Sequence, residues 1–191
     1  QEHYADDPRV RVIEGDALDR LAALSCELKH YLLVGNIPYY ITGFLLRTIG
    51  ELEHKPERTL LLVQREVAER IVAEPPRMNL LSATVRAWAE PKLLEVVPPE
   101  NFDPPPEVDS AVLRLETSQT VPTAELVAYM ETVRGVFKQP RKTLLNNLRE
   151  ATGYDTEKTI EVMTRAGVSP NDRPQNLSVE NLRAISTAIR G

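Results

Sequence analysis

The sequence predicts an α/β domain followed by a small all-helical domain. Three observations carry this. Two continuous apolar runs, Leu32-Leu33-Val34 and Leu60-Leu61-Leu62-Val63, flank a helical pattern from Thr42 to about Leu52, as in a β-α-β unit. A further strand pattern, Asp109 to Leu115, closes that region. From Thr123 onward only helical patterns remain, at about 123–136, 141–151, 156–165 and 178–190. The boundary falls near residues 117–122, giving domains 1–117 and 118–191.

In chain order, residues 1–7 are polar and read as the end of a helix. Val10 to Glu14 reads as a short strand, followed by Gly15-Asp16-Ala17-Leu18 and a helix through about Lys29. Asp16 has two readings. It is a residue type favoured as a helix N-cap. It is also a carboxylate after a strand, able to accept a hydrogen bond from a ligand amine. Leu60 to Val63 reads as a parallel strand covered on both faces. The helix from Gln64 to Val72 can pair Glu66 with Arg70, four residues apart, and Pro75-Pro76 ends it. Asn79 to Trp88 is helical or mixed, with Trp88 a core residue. Leu93 to Val97 is a strand. Pro98 to Val108 is a loop stiffened by prolines, and its Phe102 is either a plug over the core or a stacking surface. Ser178 is placed to cap the last helix.

The stretch Leu32 to Thr42 stands out. An apolar run ends at Gly35, then Asn36-Ile37-Pro38-Tyr39 precedes a helix. In an open α/β sheet, ligands bind beyond the carboxyl ends of the strands. The Asn36 amide oxygen and the Ile37 carbonyl can each accept one N–H of an exocyclic amine, and the Tyr39 ring can stack on a flat base. Asn and Pro are also common turn formers, so the same residues can be a turn and nothing more.

Composition narrows the classes. One cysteine, Cys26, excludes a disulfide framework and a cysteine-based zinc cluster, and three scattered histidines argue against a metal site. No apolar run is long enough to cross a membrane and no signal peptide is visible, so the expected setting is the cytoplasm. The net charge of −5 does not itself point to nucleic acid, yet Arg134 to Arg149 holds five basic side chains and no acid. That segment is a modest basic patch or an ordinary solvated helix face.

Six segments, in order, carry a resemblance. They are Glu14-Gly15-Asp16-Ala17-Leu18; Gly35 to Thr42; Gln64-Arg65-Glu66-Val67-Ala68; Asn101 to Val112; Phe137-Lys138-Gln139-Pro140-Arg141-Lys142-Thr143-Leu144-Leu145-Asn146-Asn147-Leu148; and Arg173-Pro174-Gln175-Asn176-Leu177-Ser178. Together they closely resemble the small-subunit ribosomal RNA adenine dimethyltransferases. The resemblance implies a Rossmann-like methyltransferase fold. It implies methyl transfer, without a metal, from S-adenosyl-L-methionine to N6 of two adjacent adenosines near the 3′ end of 16S rRNA. It implies a monomer acting on the immature small ribosomal subunit. Residue by residue, it implies that Asp16, Ala17 and Asn36 hold the cofactor, that Asn36, Ile37, Pro38 and Tyr39 hold the target base, and that Phe102 closes on it. Lys138, Arg141 and Lys142 are implied as RNA phosphate contacts.

Two departures accompany it. No pair of glycines is spaced as G-x-G, and the acidic residue for the cofactor ribose is missing. The first residue is Gln. The chain thus reads as a partial Rossmann-like methyltransferase domain, with first strands and Gly-rich loop missing, and is expected to bind cofactor poorly or not at all. Pro140 stands where a basic residue is expected in many relatives. Two alternatives stay open: a large-subunit rRNA resistance methyltransferase, which shares the Asn-x-Pro-Tyr chemistry, and a non-catalytic RNA-binding ribosome-assembly factor.

Overall fold

A computed structural model describes residues 7–191. The helix end read at residues 1–7 lies, but for Asp7, outside the described residues. The elements run α1 (Ala17–Leu28), β1 (Leu32–Asn36), α2 (Thr42–Glu51), β2 (Arg58–Gln64), α3 (Arg65–Val72), α4 (Leu80–Arg86), β3 (Ala89–Val97), β4 (Ser110–Thr117), and then α5 (Thr123–Val136), α6 (Leu144–Thr152), α7 (Thr156–Arg165) and α8 (Val179–Arg190). Short 3-10 turns sit at Tyr39–Ile41, Pro99–Asn101 and Pro174–Asn176.

The four strands form one sheet in the order β1-β2-β4-β3. β1 and β2 are parallel, joined by the α2 crossover; β4 runs antiparallel to both β2 and β3. Register brings the functional end together. Gln64 and Val97 both pair with Ser110, and Asn36 pairs with Leu62. The carboxyl ends of β1, β2 and β3 and the start of β4 therefore meet at one sheet edge.

One sheet face is covered. Leu61, Val63, Ala111, Leu113 and Leu115 are buried with Leu21 of α1, Leu45, Leu46 and Ile49 of α2, Ala68 and Ile71 of α3, and Val85 of α4. The other face is open among the described residues. On β1, Leu32 and Val34 are 62% and 75% exposed, and on β2 Leu60 and Leu62 are only half-buried. This corrects the expectation that β2 is covered on both faces: its burial alternates residue by residue, as in a strand with one packed side. A continuous apolar run does not reveal whether a second layer exists.

The strand expected at Val10–Glu14 does not form. Val10, Val12 and Ile13 are each at least 40% exposed, and among the described residues nothing pairs with this segment. An extended segment needs a neighbour to satisfy its backbone groups. Among the described residues no strand lies beside it: β1 is the sheet's edge strand and pairs only with β2.

A second cluster holds the helical half: Leu126, Tyr129, Val133 and Val136 of α5 pack with Leu144 and Leu148 of α6, Met163 of α7, and Leu182 and Ile185 of α8. Helix α4 is shared. Its Ala83 belongs to this cluster, whereas Val85 and the following Trp88 belong to the sheet cluster. Trp88 is 2% exposed, as its core assignment requires, and its indole lies on the backbone of α2: a Cβ at Gly50 would stand 2.7 Å from its Nε1. Ser178 caps α8, its hydroxyl accepting from the Asn181 N–H while Asn181 answers to the Ser178 N–H. Helix α6 begins at Leu144 rather than at 141, and residues 138–143 form a loop. Strand β3 starts at Ala89, earlier than Leu93, and accommodates Pro91 because it is an edge strand paired only with β4 among the described residues.

Candidate active-site corner and nucleic-acid interface

The corner follows directly from β1. A Cβ at Gly35 would come within 3.1 Å of Ile37 Cγ2 and Leu61 Cδ2, so glycine eases the close approach by which Ile37 folds back onto β2. Ile37 accordingly packs against the sheet cluster. Pro38 then sets an extended turn (φ −57°, ψ 131°). The Ile41 N–H donates to the Pro38 carbonyl at 3.1 Å, and the buried Thr42 donates both its N–H and its hydroxyl to the Tyr39 carbonyl. Asn36 and Pro38 are exposed at the edge. Tyr39 is half-buried, and its phenol hydrogen-bonds Ser110 Oγ, the buried first residue of β4. The ring is therefore fixed at both ends, by its backbone turn and by its hydroxyl.

Phe102 arrives at the same edge on the 98–109 loop, whose ends are joined by the Val97–Ser110 pair. It is half-buried, and its N–H donates to the Pro99 carbonyl at 3.1 Å. Arg65, the first residue of α3, anchors the other side of the loop. Its N–H donates to the Asp109 carbonyl at 2.9 Å, and its guanidinium reaches Asp109 Oδ2 and Glu69 Oε1. Hydrogen bonds from Glu69 first, then Asp109, hold the Arg65 pKa above its ordinary value. The i,i+4 pair on α3 is thus Arg65–Glu69, one residue earlier than the expected Glu66–Arg70. Sequence reasoning missed Ser110 and Arg65 as site-building residues. Both lie in the quoted motifs, but their partners are 71 and 44 residues away.

Asp16 behaves as a helix cap. Gly15 at φ +138°, a conformation that favours glycine, turns the chain into α1, and Asp16 Oδ1 accepts the Leu18 N–H at 2.8 Å. Asp16 and Ala17 are exposed at the start of α1, and Asn36 is exposed on β1. None of the cavities described is lined by these three residues. The one bordering the corner is acid-rich, with Glu66, Glu69, Glu107 and Asp109 around Arg65. A cavity of 680 Å³ lies instead in the helical half, against α8. Asp16 spends Oδ1 on its helix and keeps Oδ2 for a ligand amine, but among the described residues no cavity encloses Asp16, Ala17 and Asn36, so the set offers S-adenosylmethionine an open surface and not a built site. Calorimetric titration of this chain with S-adenosylmethionine is expected to show no binding tighter than about 1 mM, near −4 kcal/mol; a micromolar isotherm would refute this.

The predicted cations split. Lys138 Nζ lies 2.9 Å from Glu150, whose carboxyl it holds below the usual carboxylate range. Arg141 and Lys142 are exposed on the α5–α6 loop, with no ion pair among the described residues. That loop is in the helical half, and its hydrogen bonds run to α6 and not to the sheet edge.

Comparison with known proteins bears on the family and the fold. The family model described as ribosomal RNA adenine dimethylase matches residues 1–190. A protein of Dehalococcoides mccartyi named ribosomal RNA small subunit methyltransferase A is 37% identical, over 93% of this chain and 62% of its own length. The protein of that name from Acidobacterium capsulatum is 40% identical, over 97% of this chain and 67% of its own. The chain thus spans less than two thirds of the Dehalococcoides relative. Among solved structures, the 23S rRNA methyltransferase ErmE aligns with a TM-score of 0.71 at 22% identity, over all of this chain and 76% of that one. A dimethyladenosine transferase from Plasmodium falciparum aligns with a TM-score of 0.71 at 20% identity, over 81% of this chain and 65% of that one. These two show the same fold. From the family model and the relatives in sequence, the chain belongs to the ribosomal RNA adenine dimethylase family.

Proposed function

We propose that this chain carries the adenine-holding corner and the RNA-contacting half of an rRNA adenine N6-dimethyltransferase acting on two adjacent adenosines near the 3′ end of 16S rRNA. Residues 1–117 form the catalytic part and 118–191 the RNA-binding part. The setting is the immature small ribosomal subunit in the cytoplasm, and the chain works as a monomer. The observation that carries the reading is the corner itself: Asn36 exposed beside a Tyr39 ring locked to Ser110.

The chemistry explains these residue types. The lone pair of an adenine N6 is delocalised into the ring, so the amine is a poor nucleophile. Acceptance of its two N–H groups by Asn36 Oδ1 and the Ile37 carbonyl localises that pair and stabilises positive charge developing on nitrogen. The base must first leave its stack, and the faces of Tyr39 and Phe102 offset the loss. S-adenosylmethionine is the methyl donor the family implies. Since no described cavity encloses Asp16, Ala17 and Asn36, this chain is assigned the acceptor side of the reaction, and Asp16 Oδ2 is the atom that would meet the cofactor amine. The same openness favours a second reading for this chain, RNA binding in ribosome assembly without methyl transfer.

The test separates an amine grip from mere RNA affinity. An RNA hairpin displaying two adjacent adenosines in its loop is compared with the same hairpin carrying purine riboside, which lacks the amine. The wild type is expected to prefer adenosine by about thirtyfold, the worth of two net hydrogen bonds of about 1 kcal/mol each. Asn36→Ala is expected to cut the preference to about fivefold, the share left to the Ile37 carbonyl, while still binding RNA. Equal wild-type affinities would overturn the adenine-holding reading and leave the assembly-factor reading standing.

A further inference from the structure

Asn147, on α6, is 1% exposed, and it spends its carboxamide on a single neighbouring segment. Oδ1 accepts the Gln139 N–H at 3.1 Å, while Nδ2 donates toward the carbonyls of Gln139 (3.0 Å), Thr143 (3.2 Å) and, more distantly, Lys142 (3.4 Å). The orientation is determined by this network, because only the amide oxygen can receive an N–H and only the nitrogen can serve the carbonyls. Within the loop, the Lys142 N–H returns to the Gln139 carbonyl at 2.9 Å.

This arrangement explains why α6 starts late. The side-chain pattern supports a helix from 141, yet Thr143 is extended (φ −65°, ψ 159°) and the first helical residue is Leu144. The buried amide offers the backbone of residues 139–143 an alternative set of partners to a helical turn. The loop therefore projects Arg141 and Lys142 into solvent, while Lys138 is retained by Glu150 at the loop's base. The Gln139 side chain donates to the same Glu150 carboxylate at 2.6 Å, so that base is fixed from two sides.

We propose that Asn147 is a positioning residue for RNA backbone recognition. It touches no RNA. It holds loop 139–143 in the shape that presents Arg141 and Lys142 to phosphates before binding, so little ordering cost falls on the encounter. This rests on the reading of the loop as an RNA contact.

The test uses the whole chain and the adenosine hairpin. Asn147→Asp keeps size and the acceptor for Gln139 but removes both donors and faces the carbonyls with a carboxylate. It is expected to speed amide exchange at Lys142 by at least about tenfold and to weaken hairpin binding about fivefold, the scale of one or two exposed charge contacts. In that background Lys142→Ala should have almost no further effect, whereas in the wild type it weakens binding on its own. Leu148→Ala, in the neighbouring core position, should lower the melting temperature and leave hairpin affinity unchanged. Unchanged affinity in Asn147→Asp, or fully additive losses with Lys142→Ala, would overturn the positioning role. A wild type that does not bind the hairpin overturns the RNA reading and the positioning role together, and is recognised as such if Lys142 exchange is still slow in wild type and fast in Asn147→Asp.

Discussion

Tyr39→Ala is expected to weaken binding of the adenosine hairpin by roughly thirtyfold, since stacking of one base on an aromatic ring contributes about 1–3 kcal/mol. The locked ring is the reason to expect the middle of that range. Tyr39 is held by its turn and by Ser110, so its face is in place before the base arrives. Two milder variants separate the face from the lock. Tyr39→Phe keeps the ring and loses the hydroxyl contact; Ser110→Ala removes the same contact from the other side. Each is expected to cost only about threefold in affinity, and the double variant no more than either alone, because both delete one hydrogen bond. Fluorescence anisotropy at fixed salt reads all four proteins. If Tyr39→Phe binds as poorly as Tyr39→Ala, the ring face is not the contact, and the adenine-holding corner loses its main support.

Much of this site was legible before any coordinates, and the reasons differ by residue. Asn36 to Tyr39 could be read because the signal is local: a strand end, a proline that sets φ, and a helix start lie within one short stretch. Ser178 was legible for the same reason, since capping chemistry spans only the first turn. The Val10–Glu14 strand was misread because β-pattern reports a tendency to pair, and pairing needs a partner that local sequence does not contain. β2 was misread as doubly covered because its apolar residues suit either situation. Ser110, Arg65 and Asn147 escaped notice for another reason. Each acts through a contact with a segment that must first fold beside it, and a serine after a turn, an arginine at a helix start or an asparagine in a helix carries no mark of that duty. Asp16 shows another limit: its residue type has two chemical uses, and the cap seen at Oδ1 leaves Oδ2 open to the other, so neither sequence nor cap geometry chooses between them.

Tyr129→Ala is expected to lower stability by about 3–5 kcal/mol, the range for deleting a fully buried aromatic side chain, and to lower the melting temperature by roughly 10 °C for a chain of this size. Tyr129 is 0% exposed on α5, and its hydroxyl donates to the Ala83 carbonyl of α4 at 3.0 Å. Burial pushes the phenol far above its ordinary range, so it stays a donor at every working pH. Tyr129→Phe removes only the hydrogen bond and should cost about 1 kcal/mol. The position matters as much as the size. Ala83 packs in the helical cluster, Val85 and Trp88 of the same segment pack in the sheet cluster, and Met130, next to Tyr129, touches both. The Val121 N–H on the carbonyl of Ala87 and the Met78 N–H on that of Gln175 tie the same seam. A cavity at Tyr129 should therefore loosen both halves at once. Trp88, the only tryptophan, reports the sheet side by its fluorescence, while helical ellipticity reports both halves, with somewhat more helix in α5–α8 than in α1–α4. In a urea titration both signals of Tyr129→Ala should move to lower denaturant together. A helical transition that shifts alone, with Trp88 fluorescence unmoved, would show that α4 does not couple the two clusters.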